Sequence, residues 1–222
     1  KGIIRVPFGK VIPEAVTKES TRAEKQGYIK QVRETLDGAV NGHEEAKKMI
    51  TGIVAQWIRS GKSTGDIIAI QGPPGNGKTT LAKEGIAKAL GRPFAFLPLG
   101  GISDASYLIG HEFTYVGSTW GRIVDMIMEA GCMNPVIYID ELDKISQTPK
   151  GKEIIGVLTH LMDPSQNDEF TQDKYFSGIK FDLSKALIVC SYNDESLIDP
   201  ILRDRLTKIR TGPLNNKEKL VI

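Results

Sequence analysis

The segment QGPPGNGKTT, residues 71–80, has the spacing GxxxxGK[ST] and lies directly between a strand-like run and a helix-like run. In this spacing the glycines allow backbone N–H groups to turn inward around phosphate oxygens, and the start of the helix adds a favourable dipole. We expect Lys78 to reach the outer phosphates and the Thr79 hydroxyl to hold Mg²⁺. The alternative is a glycine-rich structural turn. The candidate contacts are Gly72, Pro73, Pro74, Gly75, Asn76, Gly77, Lys78, Thr79 and Thr80.

Short apolar runs alternate with amphipathic stretches on both sides of this loop. The runs are IIAI at 67–70, FAFL at 94–97, VIYI at 136–139, ALIVC at 186–190 and a weaker KIR at 208–210. Each is short, continuous and bounded by turn residues, which is typical of strands buried on both faces of a parallel sheet. Helices are expected at 22–37, 46–58, 78–90, about 121–130 and 152–162. The pattern predicts an α/β domain of the P-loop type, with a parallel sheet flanked by helices.

The pattern divides the chain into three parts. Residues 1–21 are mixed in character and suggest a lead-in or linker, whereas 22–212 carry the alternating pattern. The end, 213–222, is expected to begin a helical lid that is missing or truncated here.

Composition limits the function further. The chain has 222 residues, 40% of them apolar and 25% charged, with a formal net charge of +2, so nothing indicates nucleic acid or a membrane as a required partner. No apolar run approaches the roughly 18 residues of a membrane span. Cys132 and Cys190 stand alone and no secretory signal is visible. We expect a soluble protein in the cytoplasm or another reducing compartment, such as the mitochondrial matrix.

A second chemical centre is VIYIDELDK at 136–144, where a buried strand ends in two adjacent carboxylates. Burying such a pair is costly unless Mg²⁺ and a triphosphate in the neighbouring loop compensate it. We expect Asp140 to hold the metal through a water molecule and Glu141 to orient or deprotonate the attacking water. An ordinary pair of acids at a helix start is the alternative.

These motifs resemble the AAA+ ATPases and, among them, the ATPase module of Lon proteases. The resemblance extends from LDGAVNGHEEAKKMI at 36–50 to RDRL at 203–206. Lon-like segments follow in the Lon order: GPPGNGKTTLAKEGIAKALGRPF, LGG, GHEFTYVG, GRI, NPVIYIDELDK, LMDPSQNDEF and KFDLSKALIV.

The resemblance implies roles for two further segments. It places Val40, Asn41, Gly42 and His43 near the adenine base, although an ordinary turn with a helix cap would also fit. It gives Asn193, in SYND after the last long apolar run, a hydrogen bond to the γ-phosphate or the attacking water. A buried turn asparagine is the alternative there.

The resemblance also implies a ring. In DPILRDRL, Arg205 matches the arginine finger of the family, with Arg203 as the fallback and an ordinary surface arginine as the alternative. An arginine placed on the developing γ-phosphate charge can be worth on the order of 10³ to 10⁵ in rate. Since the neighbouring subunit supplies it, the expected assembly is a homo-oligomer, a hexameric ring in the family.

The stretch FTYVGSTWG at 113–121 resembles the loop that lines the axial pore of Lon-like motors. There an aromatic and an aliphatic residue on a glycine-flanked loop grip a threaded polypeptide, and Tyr115 and Val116 match that pair. We expect Phe113 and Trp120 to pack instead.

The resemblance thus implies an ATP-hydrolysing motor, with ATP and Mg²⁺, that unfolds and translocates polypeptides for an ATP-dependent protease. The Ser-Lys peptidase domain of that family is not expected within this chain. Alternatives are an AAA+ chaperone or remodeller without a peptidase, a nucleic-acid motor such as a clamp loader or helicase, and a nucleotide-dependent scaffold. The near-neutral charge argues against the nucleic-acid motor, and the intact carboxylate pair argues against the scaffold.

Overall fold

A computed structural model describes residues 2–61, 67–114 and 117–212. The helices within these ranges are α1 Arg22–Ala39, α2 Glu44–Ser60, α3 Lys78–Thr80, α4 Ser106–Ile109, α5 Arg122–Ala130, α6 Pro149–Met162 and α7 Pro200–Arg203. The strands are β1 Ile67–Gln71, β2 Phe94–Pro98, β3 Val136–Asp140, β4 Leu187–Tyr192 and β5 Leu206–Arg210. Short 3₁₀ turns cover Ile3–Arg5, Leu142–Lys144, Asn167–Glu169 and Glu195–Leu197.

The five strands form one sheet in the order β2-β3-β4-β1-β5, and all four pairings are parallel. This confirms the predicted α/β fold and the predicted strand positions. Because all strands run the same way, their carboxyl ends meet at one edge of the sheet. Three segments therefore meet at that edge. They are residues 72–77 after β1, called the phosphate loop from here on, the acidic pair Asp140 and Glu141 at the end of β3, and the segment after β4.

Helices cover both faces of the sheet. Alternate residues of β1 face opposite sides, so that Ile68 and Ile70 pack with α1, α2 and the helix after the phosphate loop. Ile67 and Ala69 pack in the other cluster, with α5 and α6. Burial on both faces explains why the strand sequences are continuously apolar rather than alternating.

The helix starts follow ordinary capping chemistry. The Thr21 side chain accepts a hydrogen bond from the Glu24 N–H while the Glu24 carboxylate accepts one from the Thr21 N–H, which forms a capping box at the start of α1. Thr148 caps α6 in the same way from its hydroxyl, with Pro149 at the first turn. The bounds of the five predicted helices agree with the structure to within about three residues.

The helix after the phosphate loop is not regular. Beyond α3 it widens into a π-helical segment at Leu81–Ala87 before continuing through residue 89. Gly85 lies in this segment, and a Cβ atom there would be 3.0 Å from Leu36 Cδ2 of α1. The glycine thus permits close packing of α1 on this helix, which the amphipathic pattern alone did not indicate.

Within the described ranges, no helix is both long and apolar enough to cross a membrane.

Candidate active site

The phosphate loop joins β1 to α3 and requires glycine at several points. Gly75 and Gly77 have φ values of 73° and 83°, in the left-handed region that favours glycine. A Cβ atom at Gly72 would lie 2.7 Å from the Thr211 carbonyl oxygen and 2.4 Å from Asn76 Nδ2. The loop can therefore take this shape only with a glycine at 72.

The Lys78 ammonium group lies inside this loop. Its Nζ donates hydrogen bonds to the Gly72 and Pro73 carbonyl oxygens, at 2.7 and 2.8 Å, and to Asn193 Oδ1 at 3.0 Å. Burial lowers the pKa of Lys78, against the opposing effect of the carboxylates of Asp140 and its neighbours. The structure thus brings Lys78 and Asn193 together, the residue expected to reach the outer phosphates and the one to which the resemblance gives the γ-phosphate or the attacking water.

The far side of the loop is anchored to the chain that follows β5. Asn76 Nδ2 donates to Thr211 Oγ1 at 2.7 Å, and Thr211 Oγ1 in turn donates to the Gln71 carbonyl oxygen at 2.8 Å. The Thr211 N–H also donates to that carbonyl oxygen at 2.7 Å. Sequence reasoning did not identify Thr211, since nothing near it in the chain indicates a phosphate loop.

Oxygen atoms suited to a hard cation face each other between α3 and β3. Tyr138 Oη lies 3.2 Å from Thr79 Oγ1 and 3.4 Å from Asp140 Oδ1. Ser191 Oγ donates a short hydrogen bond to the same Asp140 oxygen, which also accepts the Glu141 N–H at 3.1 Å. Hydroxyl and carboxylate oxygens are ligands that Mg²⁺ takes in proteins, so these residues fit the predicted metal.

The sequence analysis did not name Tyr138 or Ser191, which contact Asp140 in this group of oxygen atoms. Tyr138 is fully buried, and burial raises its pKa to about 12, so it remains a neutral hydroxyl that can bond both neighbours. Ser191 is also buried, near the carboxyl end of β4. The signal that could have found Ser191 is a polar residue directly after the apolar run ALIVC.

Glu141 begins the turn after β3 in a left-handed backbone conformation, with φ 59° and ψ 48°. Such a conformation is uncommon for a residue other than glycine and is often found at functional sites. The side chain is exposed and lies against Gly100, where a Cβ atom would be only 1.8 Å from Glu141 Oε2. Gly100, part of the LGG segment, therefore leaves room for this carboxylate.

Lys78, Thr79, Asp140, Glu141 and Asn193 line one cavity of about 640 Å³, within the usual range for small-molecule sites. The predicted contacts Gly72 and Pro73 are not among its lining residues. Its lining residues are Gly38, Ala39, Val40, Asn41, Pro74, Gly75, Asn76, Gly77, Lys78, Thr79, Thr80, Asp140, Glu141, Ser191, Tyr192 and Asn193.

The turn between α1 and α2 forms the part of the wall predicted to face a base. Val40 and Asn41 line the cavity, together with Gly38 and Ala39, which the sequence analysis did not name. His43 does not line it but supports the loop, since its Nε2 lies 2.9 Å from the Asn76 carbonyl oxygen. Gly42 has a φ of 73° and belongs to the turn rather than to the wall.

Comparison with known proteins agrees with this geometry. A family model described as "ATPase family associated with various cellular activities (AAA)" matches residues 68–214. A model of the TIP49 P-loop domain matches residues 22–107. The chain belongs to the AAA family of ATPases.

Three curated relatives that are 40–45% identical to this chain are named Lon protease or Lon protease homolog. The chain is 45% identical over 197 residues to a Lon protease homolog of Acanthamoeba polyphaga mimivirus, an alignment that covers 89% of this chain and 19% of the relative. It is 41% identical over 194 residues to a mitochondrial Lon protease homolog of Scheffersomyces stipitis, with 87% and 18% covered. It is 40% identical over 204 residues to the Lon protease of Aquifex aeolicus, with 91% and 25% covered. This AAA ATPase chain is therefore similar to a part of these Lon proteases, and it spans about a fifth to a quarter of the length of these curated relatives.

The two finger candidates of this AAA module lie outside the cavity. The residues that line the cavity within the described ranges include no arginine. Arg205 instead pairs with Asp163, with Nη2 3.2 Å from Oδ2, and remains 30% exposed. Arg203 ends α7 and is half-buried. Neither arginine is brought to this chain's own phosphate loop.

The structure describes residues 113–114 and 117–121 of the aromatic stretch FTYVGSTWG. Tyr115 and Val116 lie outside the described residues. Trp120 packs as expected: its ring stacks on Phe176 with centroids 5.9 Å apart, and its Nε1 donates to Asp125 at 3.0 Å. Phe113 contacts the Tyr175 ring edge at 5.2 Å but is 68% exposed, so the expectation that it packs holds only for that one contact.

Proposed function

We propose that this chain is the ATP-hydrolysing motor of an ATP-dependent protease of the Lon type. The observation that supports it is the convergence of Lys78, Glu141 and Asn193 on one cavity from three separate strand ends. Each lies far from the others in sequence, and each has the chemistry that phosphoryl transfer to water requires.

ATP is the proposed substrate. The N–H groups of the phosphate loop and of the start of α3 would donate hydrogen bonds to its phosphates. Lys78 would give up its hydrogen bonds to carbonyl oxygens and donate to phosphate oxygens instead. Thr79 and Asp140 would hold Mg²⁺, the first directly and the second through a water molecule. Bound Mg²⁺ neutralises charge on the phosphate oxygens. The wall formed by Val40 and Asn41 would contact the adenine, with Gly42 and His43 shaping the turn behind it.

Hydrolysis would be carried out by the residues on the carboxyl edge of β3 and β4. Glu141 orients a water molecule and accepts its proton as the water oxygen bonds to the γ-phosphorus. The bond from that phosphorus to the bridging oxygen breaks, and ADP leaves with the electron pair. Asn193 donates a hydrogen bond from its amide to the γ-phosphate or accepts one from the water.

Arg205 would act on a neighbouring subunit. Its position away from this chain's own cavity, with the guanidinium partly exposed, suits a group that is delivered in trans. We therefore propose a homo-oligomer, and we propose that it is the hexamer that the resemblance to Lon implies. Arg203 is the alternative arginine finger. An arginine supplied in trans links the rate of one site to the position of the next subunit.

The proposed motor uses ATP to move polypeptide chains. It does not require nucleic acid or a membrane as a partner. Tyr115 and Val116 would grip the threaded chain in the pore. The three relatives are named Lon protease or Lon protease homolog, and that of Scheffersomyces stipitis is named mitochondrial. We propose the cytoplasm or the mitochondrial matrix as the compartment, residues 1–21 as a linker, and 213–222 as the start of the helical lid.

Glu141→Gln tests the proposed reaction. The amide keeps the shape of the side chain but cannot accept a proton, so the variant should bind ATP with unchanged affinity and lose nearly all phosphate release. Glu153→Gln, an exposed glutamate on α6, is the matched control and should hydrolyse ATP at the wild-type rate. Wild-type turnover in Glu141→Gln would show that Glu141 is not the base.

Tyr115→Ala tests the proposed grip. In the full-length oligomer, ATP hydrolysis should continue while degradation of a stably folded protein substrate is lost. Tyr107→Ala, an exposed tyrosine on α4, serves as the control. If unfolding of the substrate continues unchanged in Tyr115→Ala, the pore-loop role is wrong.

A further inference from the structure

Asp143 is a buried carboxylate that the proposed reaction does not use. It lies in the 3₁₀ turn Leu142–Lys144, directly after Glu141, and its side chain is 0% exposed. Its Oδ2 atom accepts the backbone N–H of Asn193 at 3.3 Å and that of Asp194 at 3.1 Å. The Lys144 ammonium group is 3.8 Å from the same oxygen.

The cost of burying this group indicates a specific purpose. A carboxylate removed from water is unfavourable unless hydrogen bonds or opposite charge compensate it. Here two backbone N–H groups of a different segment provide the compensation, whereas Asp143 Oδ1 is buried without a hydrogen-bond partner among the described residues. An apolar residue would fill the same space without leaving a buried oxygen atom that lacks a hydrogen bond. Packing alone therefore does not account for the aspartate.

The two segments that Asp143 joins are not held by the sheet itself. The parallel pairing of β3 with β4 ends at Ile139 and Cys190, so Glu141 and Asn193 lie beyond the last paired residues. Without ladder hydrogen bonds, the distance between these two turns depends on side chains that cross between them. Asp143 is such a side chain, because it belongs to the turn of Glu141 and accepts the N–H of Asn193.

We propose that Asp143 is a positioning residue. By accepting the backbone N–H of Asn193, it fixes the position of Asn193 relative to Glu141 and Lys78. The Asn193 side chain already contacts Lys78 through its Oδ1 atom, at 3.0 Å. Fixing the Asn193 backbone therefore fixes where its side chain meets the γ-phosphate and the attacking water. This inference rests on the proposed ATP hydrolysis and assigns to Asp143 an indirect role in it.

Asp143→Asn is the first test, made in the full-length protein with steady-state ATP hydrolysis and binding of fluorescent ADP. The carboxamide has the same shape but is a weaker acceptor for the two N–H groups. We expect kcat to fall by about tenfold to a hundredfold, the range for misplacing a group that contacts the reacting atoms. The KM for ATP and the Kd for ADP should change by less than about twofold, since the phosphate loop is untouched. Lys144→Met, which removes the nearby cation but leaves the carboxylate, should retain the wild-type kcat.

A double-mutant cycle separates positioning from general loss of structure. If Asp143 acts through Asn193, then Asn193→Ala combined with Asp143→Asn should have the same kcat as Asn193→Ala alone. Independent, multiplying losses in the double variant would overturn the proposal. If Asp143→Asn does not fold, as judged by ADP binding, Asp143→Ser replaces it, because its hydroxyl still accepts one N–H.

The outcomes distinguish this inference from the proposed function. A wild-type protein that binds ATP without releasing phosphate would refute both. Normal kcat in Asp143→Asn, alongside a large loss in Glu141→Gln, would refute the role of Asp143 and leave the proposed reaction in place.

Discussion

A buried carboxylate, Asp173, lies at the end of the aromatic stretch 113–121. Its Oδ2 atom accepts the Gly121 N–H at 2.8 Å, where the stretch ends and α5 begins. Its Oδ1 atom accepts the Phe176 N–H at 3.0 Å, which places the Phe176 ring against Trp120. Asp173→Ala removes both acceptors at once, so it should loosen the base of this stretch and lower the stability of the protein.

The size of the effect follows from these contacts. A hydrogen bond to a charged acceptor contributes about 1.5–3 kcal/mol, and two buried N–H donors lose theirs in Asp173→Ala. Part of that loss is offset, because Asp173 is only 2% exposed and burial raises its pKa, which shows that its ionised form is unfavourable there. We expect a net loss of about 3 kcal/mol in the free energy of unfolding. For a chain of this size that corresponds to a fall of about 6–12 °C in Tm.

Urea denaturation and thermal unfolding measure this prediction. Asp173→Asn should lose about half as much as Asp173→Ala, because its remaining oxygen keeps one of the two bonds. Asp168→Ala, at an exposed position in a nearby turn, is the matched control and should change stability by less than about 0.5 kcal/mol. A loss in Asp173→Ala no larger than in this control would show that the two hydrogen bonds do not hold the base of the aromatic stretch.

Two predictions concern ligand binding. Because burial lowers the pKa of Lys78 from its ordinary value of 10.5, its charged fraction declines at a lower pH than that of an exposed lysine. ATP affinity measured by calorimetry should therefore weaken as pH rises, and the weakening should begin at a lower pH than the loss of charge from an exposed lysine. Tyr138→Phe removes the hydroxyl between Thr79 and Asp140, so it should raise the Mg²⁺ concentration needed for half-maximal binding of fluorescent ATP by several-fold. Unchanged Mg²⁺ dependence would mean that the hydroxyl does not orient these oxygens.

The fold was largely predictable because its signal is local. Each strand is a continuous apolar run that borders turn residues, and burial on both faces requires that pattern whatever the rest of the chain does. Thus the run IIAI predicted the strand Ile67–Gln71. The weak KIR run predicted Leu206–Arg210, which is the outermost strand on one side of the sheet and so needs fewer apolar residues. The phosphate loop was equally recognisable, since its glycines and Lys78 lie within a few residues of one another in the chain.

The supporting residues of the site were not predictable in the same way. Thr211 contacts Asn76 across 135 positions, and Asp143 contacts Asn193 across 50. Such pairs are set by strand order, which the sequence pattern did not specify. Gly100 shows the same limit, because its lack of a side chain matters only where Glu141 lies against it.

The charges at this edge of the sheet explain why the site relies on backbone donors. Asp140, Glu141 and Asp143 all act on Lys78 electrostatically, so three carboxylates stand near one ammonium group. A triphosphate would enter against that excess of negative charge and cannot be held by Lys78 alone. The N–H groups of the phosphate loop add donors without adding a titratable group, and the helix start adds partial positive charge. Thr79, Tyr138 and Ser191 surround Asp140 with hydroxyl groups, which add no further negative charge near Lys78.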